Sequence, residues 1–311
     1  MNYGIPYMGS KASIVKEMLD MLPAADNFYD LFGGGFCVSH CALIEYKNRW
    51  KNVIYNEIDG GIKGLVDKTL NGDFNYAKFQ PAWVSREDFL KNKDHCAYTR
   101  LIWSFGNNQK NYLFSKELEP KKRSMHQATI FNEFDDWFKN LFGITEWKDE
   151  KTIRDRRLKI RSICREKMLQ RDAVELQQLQ QLQQLERLQQ LERLERLETV
   201  SKSYEDVSIK DNSIIYCDPP YANTGQYLHP FDREKFLNWA AEHKTPVFIS
   251  EYEIKDVRLK CIWSKEKIQR LSSNAKNGSR RLFTEKLYAN PSALKYLQND
   301  WHEKWKGVCQ I

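Results

Sequence analysis

No apolar run in the sequence approaches the ~18 residues that a membrane-spanning helix needs. The first seven residues lack the basic start and apolar core of a secretory signal, so the expected location is cytoplasmic. Cysteine is sparse: Cys37, Cys41, Cys96, Cys164, Cys217, Cys261 and Cys309 are odd in number, scattered and without a CxxC pair. That pattern argues against a disulfide framework or a zinc site and for reduced thiols. The six histidines are dispersed, with no HExxH, and no metal site is expected. Neither sign of charge dominates: 49 Lys plus Arg against 42 Asp plus Glu leave a net +7. Such a surplus suits a polyanionic partner without demanding one. A hydrophobic content of 41% with 13% aromatics excludes a mostly disordered chain. The 311 residues suffice for one or two domains with a real core.

Glycine and proline are also missing from the whole stretch between Gly143 and Pro219, so helix is expected to start well before the leucine repeat that lies within it. Within it a leucine falls at every third position: Leu176, Leu179, Leu182, Leu185, Leu188, Leu191, Leu194 and Leu197, separated by Gln-Gln or Glu-Arg. These are good helix formers, so one long helix is expected. At about 100° per residue, a three-residue spacing slips the leucine stripe by roughly 60° per repeat. A coiled-coil seam is therefore not expected. The plain reading is an expanded helical insertion, whose removal over 176–198 should leave activity intact if the helix ends can still be joined. The functional alternative is an arm that makes a homodimer, or a spacer that sets the reach of a DNA-binding part. Upstream, Ile153 to Ala173 reads as an amphipathic helix carrying the basic run Arg154 to Arg161.

Outside this middle the texture is different. Four short apolar segments read as strands: 27–32, running into Gly33-Gly34-Gly35; Lys51 to Tyr55; Ser213 to Cys217; and Pro246 to Ser250. Helical patterns cover 11–22, 37–47 and 233–243. The alternation predicts an α/β fold with a mostly parallel sheet and helices on both faces. The section from about 71 to 200 breaks the rhythm and reads as an insertion.

A glycine cluster after a strand lets a ligand approach the backbone closely, and ligands of open α/β sheets sit at strand carboxyl ends. Gly33, Gly34 and Gly35 alone could equally be a tight turn. Glu57, an acid closing the next strand, is placed to accept ribose hydroxyls and strengthens the nucleotide reading. The strongest feature is Asp218-Pro219-Pro220-Tyr221 directly after an apolar strand. The prolines end the strand in a stiff loop. That loop offers a carboxylate, a carbonyl and an aromatic face, which suit a flat base bearing an exocyclic amine.

Several segments then line up. Pro6-Tyr7-Met8-Gly9-Ser10-Lys11 has an aromatic followed by Gly-x-Lys. Asp30-Leu31-Phe32-Gly33-Gly34-Gly35 fits D/E-x-F-x-G-x-G, with Phe36 at the position of the last glycine. Asn56-Glu57-Ile58-Asp59 supplies an acid, and Ile215 to Tyr221 a DPPY loop continuing with Thr224, Tyr227 and Phe231. Phe248 to Tyr252 and Glu285 to Tyr288 follow. Together they resemble the Dam-like family of DNA adenine-N6 methyltransferases, phage-type members included, in its α motif order. The resemblance covers both ends of the chain. It implies a Rossmann-like methyltransferase sheet, S-adenosylmethionine as cofactor, and double-stranded DNA as partner, in a phage or restriction-modification setting. The catalytic group would be Asp218, Pro219, Pro220 and Tyr221. The cofactor would be held by Tyr7, Gly9, Lys11, Asp30, Phe32, Gly33, Gly34, Gly35, Glu57 and Asp218. Residues 1–70 and 201–311 would form the catalytic domain, 71–175 a mainly helical target-recognition region, and 176–200 the leucine-repeat helical insertion.

Within that recognition region, Ser104 to Asn111 is rich in amides, which can pair with adenine edges. Asn107 and Asn108 are the candidate readers, and Phe105 could wedge into the base stack. Lys121, Lys122, Arg123 and the basic helix from Arg154 are candidate phosphate contacts, as are Arg280 and Arg281. A polar turn and solvated helix faces are the plain alternatives. Other planar amines remain open as acceptors: cytosine N4, RNA adenine or a protein glutamine. So does a DNA-binding protein without turnover. Glu253-x-Lys255 is too short a likeness to argue for a nuclease.

Overall fold

The computed structural model describes residues 3–166, 179–191, 194–221, 231–270 and 280–300. The chain divides into two compact units, one made of 1–4, 10–64 and 193–311, the other of 5–9 and 65–192.

The first unit is built on seven strands: β1 Ala25–Asp30, β2 Trp50–Asn56, β3 Leu197–Val200, β4 Ser213–Cys217, β5 Val247–Glu251, β6 Lys260–Arg270 and β7 Arg280–Ala289. Their order is β3-β2-β1-β4-β5-β7-β6. The first five pair in parallel, and β7 runs antiparallel to both β5 and β6. This is a mixed α/β fold with a seven-stranded sheet. All five residues of β4 and of β5 are buried, as expected for parallel strands covered on both faces. On one face Tyr29, Ile54, Ile215 and Ile249 meet Phe236, Ala240 and Ala241 of the helix Arg233–Glu242. Phe28 stacks on Trp50, with ring centroids 4.6 Å apart.

Strand order reverses between β1 and β4, which lie side by side with Asp30 paired to Tyr216. The loops leaving these two carboxyl ends are therefore neighbours. This is the switch-point position at which open α/β sheets bind ligands.

The second unit is helical. Its helices include Arg86–Asn92, Ala97–Ile102, Glu119–Phe131, Asp136–Phe142, Ile153–Glu166 and Gln180–Leu188. Local chemistry sets their starts: Ser85 and Asp88 form a reciprocal capping box, and Asp135 accepts the Phe138 N–H. Met125, Phe138, Ile160, Cys164, Leu179 and Leu182 share one core.

The single long helix expected across the leucine repeat is not what forms in the described residues. Leu179 precedes a nine-residue helix, Gln180–Leu188, which stops at a turn. Leu197, the last of the series, starts strand β3 and pairs with Val53. Leu179, Leu182, Leu185, Leu188 and Leu191 are all buried. The geometry is simple: Leu182, Leu185 and Leu188 span only about 120° of helix surface. The helix ends before the slipping stripe can turn to solvent. Removal of 176–198 would take these buried leucines and the start of β3 with it. Arg196 adds to this, donating to the carbonyls of Trp50 (2.6 Å), Ala42 (3.2 Å) and Leu43. Residues 176–178, 192 and 193 lie outside the described residues.

Candidate active site

The glycine loop after β1 is tightly determined. The Gly33 N–H donates to the Asn56 carbonyl (2.9 Å), and a Cβ at Gly33 would lie 2.2 Å from the Tyr55 ring. The Tyr55 hydroxyl donates to the Gly34 carbonyl (2.8 Å). Phe36 then begins the helix Cys37–Glu45 in the left-handed region, at φ 64° and ψ 14°. Glycine adopts this conformation freely, whereas a side-chain-bearing residue is strained there. The position does need glycine-like backbone geometry, and here a fully buried ring, packed against His40 and Tyr55, occupies it.

Two acids flank this loop. Glu57 accepts the Gly34 N–H at Oε2 (2.8 Å) and the Asp59 N–H at Oε1 (2.9 Å). Its carboxylate thus helps to shape the loop. Asp30 is fully buried, and its Oδ2 accepts from the Ser39 hydroxyl (2.7 Å) and N–H (3.2 Å). Its Oδ1 has no hydrogen-bond partner among the described residues. Burial pushes the Asp30 pKa from 3.8 up to about 7, opposed by the Ser39 hydroxyl.

The DPPY loop leaves β4 into a charged cluster. Lys11, almost fully buried, reaches Asp218 Oδ1 (3.0 Å) and Glu285 Oε1 (3.1 Å). Its ammonium also lies 4.5 Å from the Tyr221 ring centroid. The Tyr221 hydroxyl donates to Glu285 and lies 2.9 Å from Ser250 Oγ. The edge of Tyr252 packs against Tyr221 at 4.6 Å. Burial works against the Lys11 charge, but Asp218 and Glu285 outweigh it and hold its pKa above the ordinary value. Burial raises Asp218, Lys11 draws it back, and Glu285 pushes it further up. Burial, Asp218 and Glu285 likewise raise the Tyr221 phenol.

The structure thus brings together Lys11, Asp218 and Tyr221 at one strand end, beside a loop of Gly33, Gly34 and Gly35 held by Glu57. Pro219 is buried and Pro220 half-buried behind them. Phe32 packs on Tyr204, Phe231 and Phe236, so its ring serves the core beneath the loop. Tyr7 and Gly9 belong to the short segment grouped with the second unit. Thr224 and Tyr227 lie outside the described residues. Ser250 and Glu285 stand in quoted motifs, yet nothing in the sequence assigned them a role. The available signal was a carboxylate two residues from both Phe283 and Leu287, on the same face of a strand.

In the second unit, Phe105 stands 56% exposed on a short turn. Asn107 Nδ2 donates to the Leu101 carbonyl (2.9 Å), and Asn108 Oδ1 accepts the N–H groups of Lys110 and Asn111 (both 2.9 Å). These amides therefore build the turn that presents Phe105. Arg123 is exposed and Lys121 half-buried, but Lys122 is 2% exposed, with its ammonium 5.7 Å from the Phe114 ring centroid. A phosphate contact through Lys122 is corrected on that ground: its charge faces inward. In the basic helix, Arg156 donates to the Thr129 carbonyl (2.8 Å) and Arg157 pairs with Glu186 (2.7 Å), while Arg154 and Lys159 remain exposed. The Arg280 and Arg281 side chains lie outside the described residues.

Among the described residues no helix is long and apolar enough to cross a membrane, and no cluster of three or more His, Cys, Asp or Glu could hold a metal ion. No family model matches the sequence, and no curated protein does. Among solved structures, the chain is similar to the rRNA methyltransferase aviRa from Streptomyces viridochromogenes. That match has 11% identity over 91% of this chain and 84% of the other, with a TM-score of 0.30.

Proposed function

We propose that the protein is an S-adenosylmethionine-dependent methyltransferase that modifies the N6 amine of adenine in duplex DNA. The observation that carries this reading is the convergence of Lys11, Asp218 and Tyr221 at the carboxyl end of β4, one strand from the glycine loop. The residues present suit the cofactor. A cationic ligand group would answer the unpartnered, buried Oδ1 of Asp30, and Glu57 lies against the loop where a ribose would rest. When bound, S-adenosylmethionine supplies an electrophilic methyl group on a sulfonium.

The amine of adenine is a poor nucleophile because its lone pair is delocalised into the ring. Asp218 and the Pro219 carbonyl would accept its two hydrogens and so draw the lone pair back onto nitrogen. Lys11 lies 3.0 Å from Asp218 Oδ1 and would hold the carboxylate in place for the amine. These acceptors are fixed before the substrate arrives, which is the arrangement that makes electrostatic stabilisation effective. Holding the amine against the methyl donor supplies the proximity contribution. Asp218, whose pKa burial raises, would take the proton that the amine must lose. Tyr221 would stack on a base flipped from the duplex.

Nucleoside analysis of duplex DNA incubated with protein and donor tests the reading. N6-methyladenine is the expected product. N4-methylcytosine, or methylation confined to RNA or protein, would reassign the acceptor.

A further inference from the structure

Glu285 is 3% exposed on a strand whose inward neighbours are apolar. A carboxylate in such a place is costly unless donors hold it. Three donors reach the same oxygen, Oε1: the Lys11 ammonium at 3.1 Å, the Ser250 hydroxyl at 3.3 Å and the Tyr221 hydroxyl. They come from the N-terminal segment, from β5 and from the DPPY loop, so one atom ties together three distant parts of the sequence. Lys11 in turn spans the two carboxylates, Glu285 and Asp218.

We infer that Glu285 is a positioning residue of the site. Together with Ser250, it clamps the Tyr221 hydroxyl and the Lys11 ammonium, so that the Tyr221 ring and the Asp218 carboxylate present fixed faces to the acceptor amine. The inference deepens the amine-methylation reading and rests on it. Without the clamp the ring of Tyr221 is free to turn about its side-chain bonds. Lys11 then loses one of its two anions and settles wholly on Asp218. The acceptor amine would still bind, but its orientation toward the methyl donor would loosen. Glu285 also pushes up the Asp218 pKa by like-charge repulsion. Removing its charge therefore has a direction that loss of packing alone does not predict.

The test is Glu285→Gln in the full chain, a change that keeps shape and removes charge. Expected is a fall in kcat of about 10- to 100-fold, with KM for DNA near that of the unaltered protein. The acidic limb of the rate profile should move to lower pH, because Asp218 has lost a repelling neighbour. Glu285→Asp should recover part of the rate. The tyrosine doublet in ultraviolet resonance Raman reads the hydrogen bond directly, with Tyr221→Phe giving the difference spectrum. It should show Tyr221 as a strong donor that weakens in Glu285→Gln. An unchanged kcat and acidic limb in Glu285→Gln, beside an active unaltered protein, overturns the inference. If the unaltered protein transfers no methyl group, the functional reading fails instead. The Raman comparison then still decides the clamp, and an unaltered Tyr221 signal overturns it. Should Glu285→Gln not fold, Glu285→Asp and Ser250→Ala are compared by the same two measurements. Wild-type rate and Tyr221 signal in both again overturn the clamp.

Discussion

Asp30 keeps one carboxylate oxygen buried and unpartnered, and its pKa stands near 7 rather than 3.8. The folded state therefore holds this proton more tightly than the unfolded chain does. The stability linked to the proton is fully present below the unfolded pKa and is lost as pH rises through about 7. Thermal melts of the ligand-free protein should show this decline between pH 4 and pH 8, and Asp30→Asn should flatten it. The same variant should bind S-adenosylmethionine more weakly by calorimetry. An unaltered pH dependence of the melting temperature would refute this account of Asp30. Phe36 offers a second test, because its backbone wants glycine while its ring fills the core. Phe36→Ala should cost about 3–5 kcal/mol from the lost ring. Phe36→Gly should cost about 1 kcal/mol less, because it sheds the left-handed strain. Denaturant titration would contradict this if alanine proved the better replacement. Reading Gly33, Asp218 and Tyr221 from the sequence was possible because each motif is local. Glu285 and Ser250 were not legible, because their partners lie far along the chain: Tyr221 and Glu285 are 64 residues apart.

At the scale of elements, four strands were visible as short apolar runs, two of them closed by Gly33 and by Asp218-Pro219. Strand β3 was hidden because Leu197-Glu198-Thr199-Val200 continues the three-residue leucine period into a different conformation. The edge pair β6 and β7 is joined late in the chain, and only its inner strand was suggested by a motif. The leucine period also pointed to one long helix, whereas a short helix can bury every leucine of such a slipping stripe. Leu182→Ala is accordingly expected to destabilise by about 2–5 kcal/mol, while exposed Gln183→Ala stays within about 0.5 kcal/mol. Equal effects at the two positions, by denaturant unfolding, would deny the helix its place in the core. The turn of Phe105 shows the same limit: its amides were readable as polar, but not as spent on its own backbone.

Across the whole molecule, the repeat from 176 to 198 holds three Arg and four Glu, so the rest of the chain carries the entire basic surplus. If the partner is duplex DNA, affinity should fall steeply and log-linearly with added salt, as phosphate contacts release counterions. Binding insensitive to salt would argue against a DNA partner. The central claim is narrower: Asp218, held by Lys11, activates an amine for methylation. It is tested most directly by single-turnover transfer from labelled S-adenosylmethionine to duplex DNA, comparing the unaltered protein with Asp218→Ala. The account predicts N6-methyladenine from the first and a rate lower by about 10²- to 10³-fold from the second. Methyl transfer by Asp218→Ala at the rate of the unaltered protein would contradict it.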